Sequence, residues 1–326
     1  MDPLGPERPA VSHFVQRDTC PGCTSARRTE LFACKLLDEP IRSHLVEQYR
    51  TVGTIELDWL EGGVFRLMEC GECGLLYHAE VPDDALMARV YDHWIDPVRA
   101  QATQRAQRDM DSRLRFAREL MLADRRLRHG DTPLSVLDYG MGWGAWCTMA
   151  RAFGCDVHGH ESSPLRIEHA RSLGIPVLTW DELPKHSFDF INSEQVFEHL
   201  TDPLGALKHL VRALAPGGLI KISVPDGRDV KRRLAVGDWS AMDGPHSLLV
   251  VTPLQHVNGF HREALLEMAH RAGLCPAALT LGDYWASNAD RIGPGHLLGA
   301  LTRPLGRRFF ASDTYVFFER ESVTIT

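Results

Sequence analysis

The chain has 326 residues, 44% hydrophobic and 24% charged, with 36 Lys+Arg against 43 Asp+Glu and a net charge of −7. That length suggests two domains, or one large domain with an appendage, and the composition is that of a chain able to bury a core, which excludes disorder, collagen-like repeats and coiled-coil rods. The acidic balance argues against nucleic acid as the main partner, because binders that neutralise phosphates carry a basic surplus.

No stretch approaches the roughly 18–20 apolar residues of a membrane span. Residues 1–17 are polar and contain no apolar leader core, so a cytoplasmic location is expected. Residues 1–80 hold five of the eight cysteines and short apolar runs at Thr54–Leu60 and Val64–Met68. Residues 83–129 lack Gly and Cys and are rich in helix formers. Met110, Leu114, Ala117 and Met121, with Leu120 and Leu127 extending the same side, predict an amphipathic helix over Asp109–Arg128.

From Leu134 onward strand-like and helix-like segments alternate. Ser135–Asp138, Asp156–Gly159, Val177–Thr179, Phe188–Asn192 and Leu219–Val224 read as strands. Ala145–Phe153, Pro164–Leu173, Leu204–Leu214 and Arg262–Ala272 read as helices. Pro276–Leu281 and Thr314–Phe318 read as two late strands. Such alternation predicts a mostly parallel sheet covered by helices on both faces. Two insertions, about 226–259 and 286–312, interrupt the rhythm, and long connections of this kind often serve as lids or binding loops.

The segment Val136-Leu137-Asp138-Tyr139-Gly140-Met141-Gly142-Trp143-Gly144 is a strand running into a glycine-rich turn before a helix. Glycines allow the sharp bend and let backbone approach a ligand, and nucleotide-type ligands bind at the carboxyl ends of parallel strands. Asp138 lies two residues before the first glycine. Glu161 follows 21 residues after Gly140, at the end of the next strand, where a carboxylate can take both ribose hydroxyls. Asp181 follows the third strand, where an adenine edge would lie. Then come Phe188-Asp189-Phe190-Ile191, Glu198-His199-Leu200 with Asp202-Pro203, and Leu214-Ala215-Pro216-Gly217-Gly218.

In this order and at these distances the residues resemble the class I S-adenosylmethionine-dependent methyltransferases, over roughly 131–285 plus 314–320. The resemblance implies an α/β, Rossmann-like sheet of seven strands whose last strand is antiparallel. It implies that the backbone from Asp138 through Tyr139 and Gly140 to Gly142 faces the methionine part of the cofactor, with Asp138 ordering its ammonium. It gives the ribose to Glu161 and Ser162, the adenine border to Trp180 and Asp181, and the floor under the sulfonium to Ser193, Glu194 and Gln195. Tyr91, in Tyr91-Asp92-His93-Trp94, matches a tyrosine that in many relatives folds over the cofactor. The Pro216-Gly217-Gly218 turn is given a structural role only.

Cys20-Pro21-Gly22-Cys23 and Cys70-Gly71-Glu72-Cys73 are two knuckles 46 residues apart. Each points two thiolates at one ion, two complete a tetrahedron, and four thiolates favour zinc as a folding staple with no open position. In a reducing compartment such pairs read as metal ligands before disulfides. A methyltransferase subgroup carries such an N-terminal zinc ribbon, which Cys70–Tyr77 and Val81-Pro82 resemble. Cys34 is a substitute ligand without a partner, and Cys147, Cys155 and Cys275 are expected to pack as small apolar residues.

The methyl of a sulfonium is already electrophilic, so the protein has to align an acceptor and remove its proton. Histidine suits that task near neutral pH. His199 beside Glu198 is the first candidate and His256 the second, with His261 and His246 further off. Trp239, Tyr284 and Trp285 are candidate walls of an acceptor pocket. Some relatives hold a divalent ion with E-x-x-E-H and a later histidine. Here Gln195 stands where the first glutamate would be, so a catalytic metal is not expected.

The expected organisation is a zinc-ribbon domain at 1–82, a helical linker at 83–130 and the S-adenosylmethionine-binding domain at 131–326. The expected function is methyl transfer to a small-molecule acceptor, most readily a hydroxyl of a sugar or natural-product intermediate, with carbon or nitrogen acceptors as alternatives. The rivals are an NAD(P)-dependent oxidoreductase and a non-catalytic, zinc-scaffolded binding module. No nucleic-acid or membrane partner is expected, and the sequence assigns no oligomeric state.

Overall fold

The computed structural model describes residues 12–107, 110–128, 130–280, 283 and 313–321. The expected insertion at 286–312 and the candidate wall residues Tyr284 and Trp285 lie outside the described residues. The strands are β1 (Phe14–Gln16), β2 (Arg28–Lys35), β3 (Val64–Cys70), β4 (Leu76–His78), β5 (Glu80–Pro82), β6 (Ser135–Tyr139), β7 (Asp156–His160), β8 (Phe188–Glu194), β9 (Leu214–Pro225), β10 (Asn258–Gly259), β11 (Leu274–Pro276) and β12 (Asp313–Arg320). The helices are α1 (Ile41–Val52), α2 (Asp84–Arg89), α3 (Pro97–Gln107), α4 (Met110–Leu127), α5 (Ala145–Ala152), α6 (Pro164–Ser172), α7 (Pro203–Arg212), α8 (Val230–Val236) and α9 (Arg262–Arg271), with a π-helical turn at Val90–Trp94.

The large sheet has the strand order β11-β12-β9-β8-β6-β7. Strands β7, β6, β8 and β9 run parallel, and β12 is antiparallel to both β9 and β11. The antiparallel last strand expected from the sequence is therefore present. Among the described residues six strands are formed, and the expected strand at Val177–Thr179 contributes a single parallel bridge between Gly159 and Val177. Two features stop it: Pro176 has no N–H for the ladder, and Thr179 leaves the sheet to make a capping box with Glu182 at the start of the turn Trp180–Lys185. Late in the chain the strand begins at Leu274, earlier than expected, and Ala277 adds one further hydrogen bond to Phe317.

The helix α4 forms where its periodicity predicts, but the buried flank is Phe116, Leu120, Ala123 and Leu127, while Met110 is 66% exposed and Leu114 and Met121 are also exposed. The rotation packs Phe116, Leu120, Leu122, Ala123 and Leu127 into one core and has an electrostatic consequence. It turns Arg115 and Glu119 toward the carboxyl ends of β8 and β9, where Glu194 and Lys221 wait as counter-charges.

The N-terminal region builds a four-stranded antiparallel sheet, β10-β4-β3-β2, and a two-stranded ribbon, β1-β5. Strand β10 comes from the far end of the chain's first insertion, pairing Asn258 with Tyr77. The residues before it pack on α1: Val230, Trp239, Leu248, Val251 and Leu254 share one core with Ile41, Leu45 and Tyr49. The four knuckle cysteines belong to the core beneath the large sheet, beside Phe260, Ala264 and Met268. His261 stitches the two parts together: it caps α9 through Ala264, and its Nε2 donates to the Gly74 carbonyl at 3.0 Å.

Candidate functional site

The site lies at the carboxyl ends of β6, β7 and β8. Gly140, Gly142 and Gly144 all adopt positive φ, and a Cβ on Gly140 would stand 2.4 Å from the Val196 side chain, so only glycine fits this bend. The Gly140 and Met141 N–H groups donate to the His160 carbonyl at 2.9 and 3.0 Å, tying the turn to the end of β7. Glu161 binds the turn from the other side. One carboxylate oxygen accepts from Gly142 N–H at 3.0 Å, and the other accepts from Ser162 and Ser163 N–H at 2.9 and 3.1 Å. The oxygen that accepts from Gly142 keeps a second lone pair for a ligand hydroxyl, while the other is fully taken by the two serine N–H groups. Arg166, one turn into α6, stands 3.7 Å away. A cavity of about 230 Å³ opens alongside, lined by Tyr91, Asp92, Trp143, Ser163 and Arg166 among others. Tyr139 stacks flat on His160, and the half-exposed Trp180 stacks on His209 with centroids 3.9 Å apart. Asp181 is exposed, in the first turn of the segment Trp180–Lys185, which Thr179 caps.

Behind the turn lies a buried row of polar side chains set by strand register. Asp138 on β6 pairs with Asn192 on β8, which pairs with Lys221 on β9. The Asn192 amide donates to Asp138 at 2.6 Å, and Lys221 Nζ donates to the Asn192 oxygen at 3.1 Å. The Lys221 ammonium, fully buried, also pairs with Glu194, lies 3.4 Å from Glu119 and sits over the Tyr315 ring. Arg115 pairs with Glu194 in turn. Three carboxylates therefore share two cations. Burial pushes the Asp138 carboxyl up to about 6, against the pull of Asn192 and Lys221. The Ser193 hydroxyl beside this row is buried and has no hydrogen-bond partner among the described residues. Gln195 closes β8 at φ 56, a strained value for a non-glycine residue, with its N–H on the Ser223 carbonyl.

Opposite the turn the structure brings together Tyr91, Glu198, His199 and His256. His199 Nδ1 lies 2.9 Å from the Gln255 carbonyl, which can only accept, so Nδ1 carries the proton and Nε2 the lone pair. Nε2 is 3.7 Å from Glu198 Oε1, and the Tyr91 hydroxyl is 3.3 Å from Nδ1. The His256 ring stands edge-on to His199 at 4.8 Å, and its Nδ1 has no hydrogen-bond partner among the described residues. Burial drives His199 down to about 3, assisted by His256, and His256 down to about 4, so both rings are neutral near pH 7. Tyr91 is pushed up to about 12 by the same burial. Its π-helical turn is clamped from the N-terminal region: Glu56 takes two hydrogen bonds from Arg89 at 2.6 Å and one from the Trp94 indole at 2.9 Å.

The knuckles converge as their spacing implies. Cys20 Sγ is 3.6 Å from Cys73, Cys23 Sγ is 3.4 Å from Cys70, and all four sulfurs lie within 4.8 Å of one another. A tetrahedral zinc with bonds of about 2.3 Å places its sulfurs about 3.8 Å apart, so the donor set fits such an ion. Cys34 stands apart from the cluster, its thiol on the Asp38 and Glu39 carbonyls.

Sequence reasoning missed Lys221, Asn192, Arg115 and Glu119. One signal was available: a lysine in the otherwise apolar run Leu219–Val224, in a chain with five lysines. It also missed Gln48, Tyr49 and Gln255, which carry no local pattern.

The sequence pattern of the family described as "Methyltransferase domain" matches residues 105–277. The 2-methyl-6-phytyl-1,4-hydroquinone methyltransferase of Synechocystis sp. (strain ATCC 27184 / PCC 6803 / Kazusa) is 26% identical over 160 residues, 46% of this chain and 49% of that protein. The chain thus spans about half the length of this curated relative. The plantazolicin methyltransferase BamL, solved with a triazolic desmethylPZN analog and SAH, is 16% identical, with 73% of this chain and 95% of that chain covered and a TM-score of 0.50, a likeness of fold. With a pattern match over more than half its length, on a sheet of the strand order and direction described above, this chain belongs to the methyltransferase-domain family and has the class I S-adenosylmethionine-dependent fold.

Proposed function

We propose that the chain binds S-adenosylmethionine across the ends of β6, β7 and β8 and transfers its methyl group to a small-molecule acceptor. A hydroxyl of a sugar or natural-product intermediate is the first choice, with carbon and nitrogen acceptors next. The observation that carries this reading is the Glu161 carboxylate, anchored on Gly142, Ser162 and Ser163 with a lone pair to spare on Oε2, across the cleft from a neutral imidazole with a defined tautomer.

When bound, the cofactor supplies a methyl group on a positively charged sulfur. Glu161 and Ser162 hold its ribose, Trp180 and Asp181 border the adenine, and Asp138 faces the ammonium, with Tyr139, Gly140 and Gly142 beside it. Ser193, Glu194 and Gln195 form the floor and Tyr91 the cover. The negative surplus of the row Asp138, Glu194, Glu119 against Lys221 and Arg115 suits a cationic ligand. His199 Nε2 takes the acceptor proton, and the imidazolium so formed gains the Glu198 carboxylate 3.7 Å away. His256 is the second candidate. The four cysteines hold a structural zinc with no open coordination position, and Val177 marks the seventh strand position. We keep 1–82, 83–130 and 131–326 as the functional parts, with 226–259 walling the acceptor side. The acceptor is a small molecule, not a nucleic acid, and the chain works in the cytoplasm. Among the described residues no helix is long and apolar enough to cross a membrane.

Calorimetry with S-adenosylmethionine and its demethylated product tests the reading. Binding by the unaltered chain, weakened about tenfold or more in Glu161→Ala, is expected. No heat with either compound overturns it. Transfer of labelled methyl to a panel of hydroxyl, amine and activated-carbon acceptors then ranks the acceptor classes.

A further inference from the structure

The residue that holds the candidate base is itself held by the N-terminal region. The Gln255 backbone carbonyl that fixes the His199 tautomer belongs to a residue whose side chain is gripped by α1, more than 200 positions earlier in the chain. Gln48 Nε2 donates to Gln255 Oε1 at 3.3 Å, and Gln255 Nε2 donates to the Tyr49 hydroxyl at 3.2 Å. Both ends of the Gln255 amide are therefore occupied by neighbouring residues of one helix turn. Gln48 is fixed in turn, since its Oε1 accepts from the Thr252 hydroxyl at 2.5 Å. Tyr49 is fully buried and stands edge-on to Trp94. The stretch between these anchors, Thr252 to His256, is short, and its His256 N–H closes it by donating to the Thr252 carbonyl at 3.2 Å. Leu254 within it takes φ 70, a conformation a leucine keeps only when its surroundings enforce it.

We propose that Gln48 and Tyr49 of the N-terminal region are positioning residues for His199, acting through the Gln255 side chain to hold the Gln255 carbonyl on Nδ1 and so reserve Nε2 as the basic atom. The proposal rests on the reading of His199 as the base. It gives the N-terminal region a part in the chemistry beyond carrying the cysteine cluster: it decides which nitrogen of the imidazole can receive a proton. A neutral imidazole in a looser site exchanges between its two tautomers, and a base whose lone pair faces a backbone carbonyl cannot act. The geometry assigns no contact between Gln48 or Tyr49 and the cofactor or acceptor.

The test is nitrogen-15 spectroscopy of the full chain labelled at histidine, with the His199 signals identified by their loss in His199→Asn. The unaltered chain is expected to show only the Nδ1–H form at His199. Gln48→Ala and Gln255→Ala are expected to shift the tautomer ratio toward Nε2–H by about tenfold, the worth of one or two hydrogen bonds. Gln48→Glu should restore the original form, because the Gln255 amide can turn to donate to the new carboxylate. A melting curve and a S-adenosylmethionine titration of each variant show that the fold and the donor site are intact. An unchanged His199 tautomer in both alanine variants overturns the proposal. So does a shift in Gln48→Glu as large as that in Gln48→Ala. Loss of donor binding in the unaltered chain, with the tautomer shifts as expected, would instead overturn the donor-site reading and leave the positioning role standing.

Discussion

The two sides of the cleft are built from different kinds of chain. On the donor side, the residues come from successive strand ends of one parallel sheet: the turn after β6, Glu161 after β7, and Ser193 to Gln195 ending β8. Their spacing in sequence maps onto adjacency in space because parallel strands deliver each carboxyl end to the same edge. On the facing side, His199 comes after β8, His256 from the return of a long insertion, Tyr91 from a π-helical turn, and the grips on them from α1 and Glu56. Order along the chain says nothing of that assembly. The proposed donor side depends on backbone conformation and one carboxylate, whereas the proposed acceptor side depends on a tertiary scaffold extending into the N-terminal sheet through β10.

This contrast makes distinct predictions, the largest for the scaffold. Replacing Cys20 of the proposed zinc cluster (Cys20→Ser), or exposing the protein to a strong zinc chelator, is expected to lower the melting temperature by on the order of 10 °C, because the cluster lies inside the core shared by both parts. Scanning calorimetry checks this, and an unchanged melt in both cases would remove the metal from the account. Next is Lys221→Met, which leaves Glu194 and Glu119 to share the Arg115 guanidinium alone. A loss of about 3–5 kcal/mol in denaturant unfolding is expected, as for one partner removed from a buried pair.

Acid separates the sides by histidine. His78, His199 and His256 are all held well below 6.5 by burial, so their contribution to stability is full above 6.5 and is lost as pH falls toward 3 to 4. Each is expected to cost about 1 kcal/mol between pH 7 and pH 5.5. Asp138, raised to about 6, opposes them by less than about 1 kcal/mol over the same interval, so the net sign is destabilising. Melting curves at the two pH values decide the sign. Glu161→Ala tests the donor side alone: S-adenosylmethionine affinity should fall about 10- to 100-fold, with little change in the melt of the N-terminal sheet. The smallest effect is the pH dependence of donor binding. If the ammonium meets an ionised Asp138, affinity rises as pH increases through about 6 and levels off above it, as calorimetry from pH 5.5 to 7.5 would show.

The glycine turn, Glu161 and both cysteine knuckles could be read from the sequence because each is a local arrangement: a bend that needs glycine, an acid at a strand end, two thiols on one turn. Lys221 was overlooked inside an apolar run, since a period-two pattern reports burial but not the counter-charge that makes burial of an ammonium tolerable. The direction in which α4 faces was misjudged for a related reason. Its apolar residues defined a stripe, yet the flank that is buried also carries Arg115 and Glu119 to Glu194 on β8 and Lys221 on β9, and those partners lie 79 and 102 positions away.

By itself the sequence determined the sheet class, the place of the glycine turn and the four-cysteine set, because these follow from short-range sterics, hydrophobic periodicity and ligand spacing, while the direction of the last strand came from the family resemblance that the ordered motifs carry. Only the tertiary structure decided the tautomer of His199, the charge balance behind Asp138 and the joining of β10 to the N-terminal sheet. Those features rest on hydrogen bonds and ion pairs between residues far apart in the chain, whose partners exist only once the chain has folded.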